Sequence, residues 1–173
     1  IVKLDGNENP YGPSPRAVAA LATPYAAHRY PDPDQRRLRA ALASHLGVPA
    51  ASVLAGAGSD ELIDLIFRAY VEPGDRIVVA PPTFGMYAFD AELHGASVIE
   101  VPRDDSWGLD ADALLEASAR AKVVFIPSPN NPTGELGEHR AVLQVDADSA
   151  RDPRQRPVHR TRVEVVEPEA RRE

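Results

Sequence analysis

The chain has 173 residues, enough for one domain with a real core or for part of a larger one, and a formal net charge of -7. That charge argues against a nucleic-acid partner, because gripping phosphates over a surface needs clustered Lys and Arg. It has no cysteine, which excludes disulfides, thiol catalysis and cysteine metal sites, and no apolar run of membrane-spanning length or signal-peptide pattern, so a soluble, cytoplasmic protein is expected.

The first stretch, "KLDGNENPYGPSP" from Lys3 to Pro15, is dense in Gly, Asn and Pro and reads as an extended arm. It opens at Ile1 rather than Met, so a missing natural N-terminus is expected. Ser14 followed by Pro15 is a helix start, a capping hydroxyl before a proline at the first helical position. That helix should break near Pro24. "HRYPDPDQ", His28 to Gln35, is a second proline-punctuated loop. Asp34 is expected to cap a helix with Leu38, Leu42 and Leu46 on one stripe, ended by Gly47.

"ASVLAGAGSDELIDLIFRAY" passes from a short apolar run through Gly56 and Gly58 into a helix. Leu62, Ile63, Leu65, Ile66 and Phe67 make that helix apolar over more than one face, so deep burial is expected. "RIVVA", Arg76 to Ala80, has the β-branched signature of a buried strand, stopped by Pro81-Pro82. A helix from Phe84 to His94 is closed by Gly95. "SVIEV", Ser97 to Val101, is a second strand. A helix over 109–120 leads to "KVVFI", Lys122 to Ile126, a third. Strand, helix, strand, helix, strand at this spacing predicts an α/β fold, a mainly parallel sheet with helices on its faces. Ligands of such sheets sit at the carboxyl ends of strands, so the loops after Ala55, Ala80 and Ile126 are the ones to watch.

Beyond Glu135 the pattern fails. Residues 135–173 hold no lysine, Phe, Tyr, Trp, Ile or Met, and only two leucines, Leu136 and Leu143. "RVEVVE" alternates as a strand would. The rest has too little apolar mass to bury and is expected to be a disordered, aberrant tail, such as a frameshift in GC-rich coding DNA would give.

Three loops carry the chemistry. "AGAGSDE", Ala55 to Glu61, is a Gly-rich turn opening a helix, where the backbone N–H groups of Gly58, Ser59 and Asp60 and the Ser59 hydroxyl suit a phosphate. Alone, a capped helix with Ser59 as N-cap ranks higher. It is neither a Walker loop nor a nucleophile elbow. "APPTFGMY" puts Phe84 beyond a strand end, where it closes the core or stacks on a flat ligand; in isolation the first ranks higher. "SPNNPTG", Ser128 to Gly134, uses two prolines to fix the backbone around two amides, either as a plain turn or to hold an Asn against a ligand. His28, His45, His94, His139 and His159 lack metal-ligand spacing. Asp104, Asp105, Asp110 and Asp112 read as solvated loop and helix-start charges.

Together, "LDGNENPYGPSP", "RYPDP", "GAGSDELIDLI", "APPTFGMY" and "SPNNPTG", in this order and spacing, resemble the N-terminal part of the histidinol-phosphate aminotransferases. These are pyridoxal-phosphate (PLP) enzymes of fold type I. The resemblance covers about residues 2–134. It implies an incomplete large domain: arm and small-domain segment over 1–33, partial PLP-binding domain over 34–134, and an unmatched tail over 135–173. It implies that Gly58, Ser59 and Asp60 form the cup for the cofactor phosphate. Phe84 would stack on the pyridine ring, and Asn131 would donate to the ring's phenolic oxygen. Tyr30 would reach the cofactor phosphate of a neighbouring subunit, hence a homodimer sharing sites, and Tyr11 would lie near a small-molecule substrate.

The reaction implied is amino transfer between histidinol phosphate and 2-oxoglutarate in histidine biosynthesis. Alternatives are a related fold type I enzyme, such as an aromatic aminotransferase or a threonine-phosphate decarboxylase, and a non-catalytic PLP- or phosphate-binding module. The family's chemistry needs a Schiff-base lysine, an aspartate at the pyridinium nitrogen, a tyrosine and a substrate arginine, all downstream of the Asn-Pro-Thr-Gly loop. The chain has only Lys3 and Lys122, neither at the family position, so as given it is expected to be inactive as a transaminase. Asp146 in "QVDAD" lacks the acid-Ala-Tyr continuation and is not assigned.

Overall fold

The alternation of Arg76–Val79 organises the structure, a computed structural model that describes residues 6, 8–23, 26 and 28–136. The chain divides into two compact units, Ile1–Leu54 and Ala55–Glu173.

The first unit holds α1 (Pro15–Leu21), α2 (Arg36–Leu46) and a 3-10 turn at Ala50–Ser52. Ser14 caps α1 as its sequence predicts, its Oγ accepting from the Ala17 N–H at 3.2 Å. The start of α2 differs from expectation: its N-cap is Gln35, without a side-chain cap bond of its own. The Asp32 carboxylate, not that of Asp34, accepts from the N–H groups of Asp34 (3.1 Å) and Arg36 (3.2 Å). These donors hold the Asp32 carboxyl below its usual range. Gln35 at φ 49° swings the chain into the helix, which leaves Asp34 to pair with Arg36 at 2.6 Å. Gly47 ends α2 at φ 71°, the left-handed cap that glycine takes without strain. Arg39 ties α2 to the 3-10 turn by donating Nε and Nη2 to the Ala50 carbonyl, at 3.2 and 2.9 Å. The expected leucine stripe is shallow: Leu38 and Leu46 remain exposed, and Ala43 is the buried residue of α2.

The second unit runs α3 (Ser59–Tyr70), β1 (Arg76–Val79), α4 (Met86–Leu93), β2 (Ser97–Glu100), α5 (Ala111–Ser118) and β3 (Val123–Phe125). The strands form one parallel sheet in the order β2-β1-β3. Parallel neighbours need crossovers, and α4 and α5 supply them on opposite faces. Ile77 and Val79 point to one face, where Ile63, Ile66 and Phe67 of α3 and Tyr87 and Ala91 of α4 cover them. Val78 points to the other, under Leu114 and Ala117 of α5. The register carries the alternation outward, Ile77 beside Val98 and Val123, Val78 beside Ile99 and Val124. Phe67, Ile77, Val78 and Leu114 are fully buried, each worth about 1.5–3 kcal/mol against exposure.

The expected α/β fold, with a parallel sheet and helices on both faces, is therefore observed. One expectation narrows: α3 buries Ile63, Ile66 and Phe67 as a single face, while Leu65 stays 37% exposed. The third-turn spacing i, i+3, i+4 explains it, since one neighbouring layer covers one stripe. His94 packs its ring 5.3 Å from that of Phe67. The tail from residue 137 onward, with its expected disorder and its "RVEVVE" strand, lies outside the described residues, as do His139, His159 and Asp146.

Asp90 is an acid inside this core, 5% exposed, with Oδ2 lacking a hydrogen-bond partner among the described residues. Desolvation raises its carboxyl pKa; Asp64 adds to that, His94 opposes it and Asp60 adds again. Below about pH 4 the carboxyl is protonated folded or unfolded, and its ionisation costs nothing. As pH rises through the raised folded value the native state alone resists ionisation, so stability falls. Asp90→Asn should accordingly melt at a higher temperature than the parent at pH 7, with the difference closing below about pH 4. Thermal melts at both pH values check this.

Candidate functional site

At α3 the helix begins on Gly58, whose φ of 87° and ψ of 176° belong to a region essentially reserved for glycine. No side chain caps this helix, and a Cβ on Gly58 would meet nothing within 4 Å. Gly58 is therefore required by its backbone, and open space lies beside it. The first-turn amides of a helix have no acceptor within the helix, so this end offers donors and the positive end of the dipole. Ser59 is the first residue of α3 rather than its N-cap, one turn before the buried Ile63. Glu61 reaches back to accept from the Ala57 N–H, much as a capping box does. Its carboxylate would crowd a Cβ on Gly56 at 2.8 Å, so Gly56 is fixed by close approach.

At the carboxyl end of β1, Phe84 is half-buried. Its ring meets Tyr87 edge-on at 5.8 Å, and Tyr87 stacks on Phe125 at 4.5 Å. Phe84 thus packs against the cluster that contains Ile63 while keeping surface exposed. Closing the core and offering a ring to a ligand are compatible here.

At the carboxyl end of β3 the two adjacent amides divide their work. Asn130 is 2% exposed. Its Nδ2 donates to the Pro82 carbonyl (2.9 Å) and to Thr133 Oγ1 (2.8 Å), and its Oδ1 accepts from the Thr83 hydroxyl at 2.9 Å. Asn131, half-buried, has no side-chain hydrogen bond among the described residues. Gly134, at φ 72°, returns its N–H to the Asn130 carbonyl at 2.7 Å and closes the turn.

The Thr83–Asn130 bond joins the loops that carry Phe84 and Asn131, and Phe84 packs against the same core cluster as Ile63 of α3. Tyr11 and Tyr30 belong to the other unit and are almost wholly exposed, at 93% and 101%.

Sequence reasoning missed Asn130, Thr83 and Arg103. "NN" signalled a paired amide but not which of the two turns inward. Arg103, next to Asp104 and Asp105, resembled a surface charge. It is 8% exposed, donating Nε to the Ala80 carbonyl (3.3 Å) and Nη1 to the Trp107 carbonyl (2.9 Å). Nη2 has no partner among the described residues. Burial lowers the Arg103 pKa, and the Glu135 charge opposes that shift. Asp104 orders this loop by accepting from the Ser106 and Gly108 N–H groups, and Asp110 caps α5.

These residues suit a planar, phosphorylated ligand. An uncapped helix start with open space takes a phosphate, a half-exposed ring takes a flat face, and an unengaged amide takes a polar ring substituent. Asp60 and Glu61 add negative charge at the same helix end, which the dipole favours but a phosphate must tolerate.

Comparison with known proteins bears on which ligand. The family described as aminotransferase class I and II matches residues 1–147. That corrects the sequence reading, which ended the resemblance near Gly134. Glycine, proline and asparagine motifs stop there, whereas Leu136, Leu143 and Val145 are apolar positions with no punctuation to notice. A histidinol-phosphate aminotransferase of Roseiflexus castenholzii is 57% identical over 141 residues, 78% of this chain and 38% of that protein. The chloroplastic histidinol-phosphate aminotransferase of Nicotiana tabacum is 49% identical over 147 residues, 84% of this chain and 36% of that protein. Among solved structures, histidinol-phosphate aminotransferase from Sinorhizobium meliloti in complex with pyridoxal-5'-phosphate superposes with TM-score 0.74 at 32% identity. That match covers 83% of this chain and 40% of the other. The chain therefore spans well under half the length of the relatives it matches.

Gly58→Ala should cost about 1–3 kcal/mol of stability, the strain of a Cβ at this φ and ψ, although nothing crowds it. Denaturant unfolding measures the loss. An unchanged midpoint would mean that the turn relaxes and glycine is not required.

Proposed function

The chain belongs to the aminotransferase class I and II family, and on that premise we propose that it forms part of the PLP site of a histidinol-phosphate aminotransferase. The observation that carries this reading is the division of labour at Asn130 and Asn131. One amide is consumed by the fold, and its neighbour has no side-chain hydrogen bond among the described residues, on a loop tied through Asn130 and Thr83 to the one that carries the half-buried Phe84 ring. Gly58, Ser59 and Asp60 hold the cofactor phosphate at the start of α3. Phe84 lies against the pyridine ring. Asn131 donates to the phenolic oxygen and so favours its ionised form. When bound, the cofactor supplies an electron sink for carbanion chemistry. What this chain contributes is orientation of the ring and hydrogen-bond donors for the phosphate.

The reaction is amino transfer between histidinol phosphate and 2-oxoglutarate, supported by the names of the Roseiflexus castenholzii and Nicotiana tabacum relatives. Tyr30 reaches the cofactor phosphate of a second subunit in a homodimer, and Tyr11 lies near the substrate; their exposure leaves both available for this. Among the described residues no helix is long and apolar enough to cross a membrane. Cytoplasmic location is part of the proposal.

A polypeptide of these 173 residues binds PLP without transaminating. Its lysines are Lys3, outside the described residues, and Lys122. Lys122 precedes β3, at the amino edge of the sheet, whereas Phe84 and Asn131 follow the strands at the carboxyl edge. At ~3.3 Å per residue, the strand between exceeds the reach of a lysine side chain.

Two measurements test the proposal. Titration of the 173-residue chain with PLP should give phosphate-competitive binding with no imine absorbance. A visible imine band abolished by Lys122→Ala or Lys3→Ala would overturn the inactivity. A chimera in which residues 1–134 replace their counterpart in the Roseiflexus castenholzii relative should keep histidinol-phosphate-dependent amino transfer. A switch of preference to aromatic donors would favour the aromatic aminotransferase reading instead.

A further inference from the structure

We propose that Asn130 is a positioning residue that, with Thr83, sets the spacing between Phe84 and Asn131 across the cofactor ring. This rests on the PLP-site reading above. The loops concerned leave different strands, β1 and β3, and 47 residues separate Thr83 from Asn130. β1 ends at Val79 and β3 at Phe125, and although the Pro81 carbonyl still accepts from the Arg103 N–H on the β2 side, no backbone hydrogen bond joins the two loops among the described residues. Side chains must therefore hold them in register, and Asn130 meets that need.

The primary amide suits the role because its tip carries two donors and an acceptor. One donor goes to the Pro82 carbonyl on the far loop and the other to Thr133 on its own. The acceptor takes the Thr83 hydroxyl. Asn130 is also pinned through its backbone, its N–H donating to the Glu135 carbonyl at 2.8 Å and its carbonyl accepting from Gly134 at 2.7 Å. A carboxylate in its place keeps the acceptor and loses both donors. An apolar residue strands the Thr83 hydroxyl and the Pro82 carbonyl. Because Phe84 follows Thr83 and Asn131 follows Asn130, each hydrogen-bonded residue is one step from a proposed ligand contact. Any slip between the loops changes the gap between ring and amide directly.

The experiment compares Asn130→Ala, Asn130→Asp, Thr83→Val and Thr83→Ser in the 173-residue chain. Thr83→Val preserves shape and removes one hydroxyl, so it keeps the test sound if the Asn130 variants fold poorly; Thr83→Ser restores the hydroxyl. Two readouts are taken. Amide hydrogen exchange of the cofactor-free chain should speed up in both loops, residues 81–85 and 130–134, in the Ala, Asp and Val variants and not in Ser. The bound PLP should titrate in the visible with a midpoint raised by ~1 unit in those three variants, because Asn131 no longer meets the phenolic oxygen. Their affinity should drop about tenfold, the size of one lost hydrogen bond.

A purely structural role would lower melting temperature and affinity while leaving the titration midpoint where it was, and that result overturns the inference. So does faster exchange confined to residues 130–134. Failure of the unsubstituted chain to bind PLP overturns the PLP-site reading and this inference with it. Binding by that chain with an unmoved midpoint in the variants overturns this inference alone.

Discussion

Burial of β1 on both faces is the constraint on which the second unit depends. Its Ile77-Val78-Val79 run has no polar side to give to water, so helices must come from above and below. The chain meets this by sending α4 over one face on the way to β2 and α5 over the other on the way to β3. That routing places β1 in the centre and leaves the loops after β1 and β3 side by side at one edge. The β1 and β3 loops of the candidate site gather at that edge because of how an apolar strand is covered.

Covering the strands does not arrange the loops beyond them. Where the ladders end, backbone carbonyls still need partners, and here buried side chains supply them. Arg103 serves the Ala80 and Trp107 carbonyls, and Asn130 serves Pro82. Both are among the few buried polar residues of the described chain, and both sit at the carboxyl edge. The proline-rich loops make this necessary, since Pro81, Pro82, Pro129 and Pro132 have no N–H with which to pair one another. A loop made stiff by proline is short of donors, and the sequence supplies them from amide and guanidinium groups.

Legibility followed the same division. The sheet, its parallel sense and both crossover helices could be read from periodicity, because burial imposes a repeating pattern. Ser14 and Gly47 could be read as caps because their chemistry is local. That Asp32 rather than Asp34 accepts from the first N–H of α2 could not be read, since it hangs on the left-handed N-cap at Gln35. Among the candidate site residues, Gly58, Phe84 and Asn131 are visible through motifs. Asn130 is not, because its partners lie 47 and 48 residues away, and no spacing rule links positions joined only by the fold. Asp90 and Arg103 were hidden for the same reason, as charges whose burial depends on neighbours distant in sequence.

The two ends of the sheet differ in what they can do. Groups that orient a ring need only hold still, and a short parallel sheet with pinned loops provides that. Groups that move a proton must approach one carbon atom from a defined side, and a lysine is the side chain suited to it. The described chain has the first kind at its carboxyl edge, while Lys122 sits at the amino edge beyond the length of β3. On the proposed reading binding and chemistry are separable in this molecule: the residues of α3, β1 and β3 would specify where a phosphorylated ring rests, while Lys122 lies at the opposite edge of the sheet.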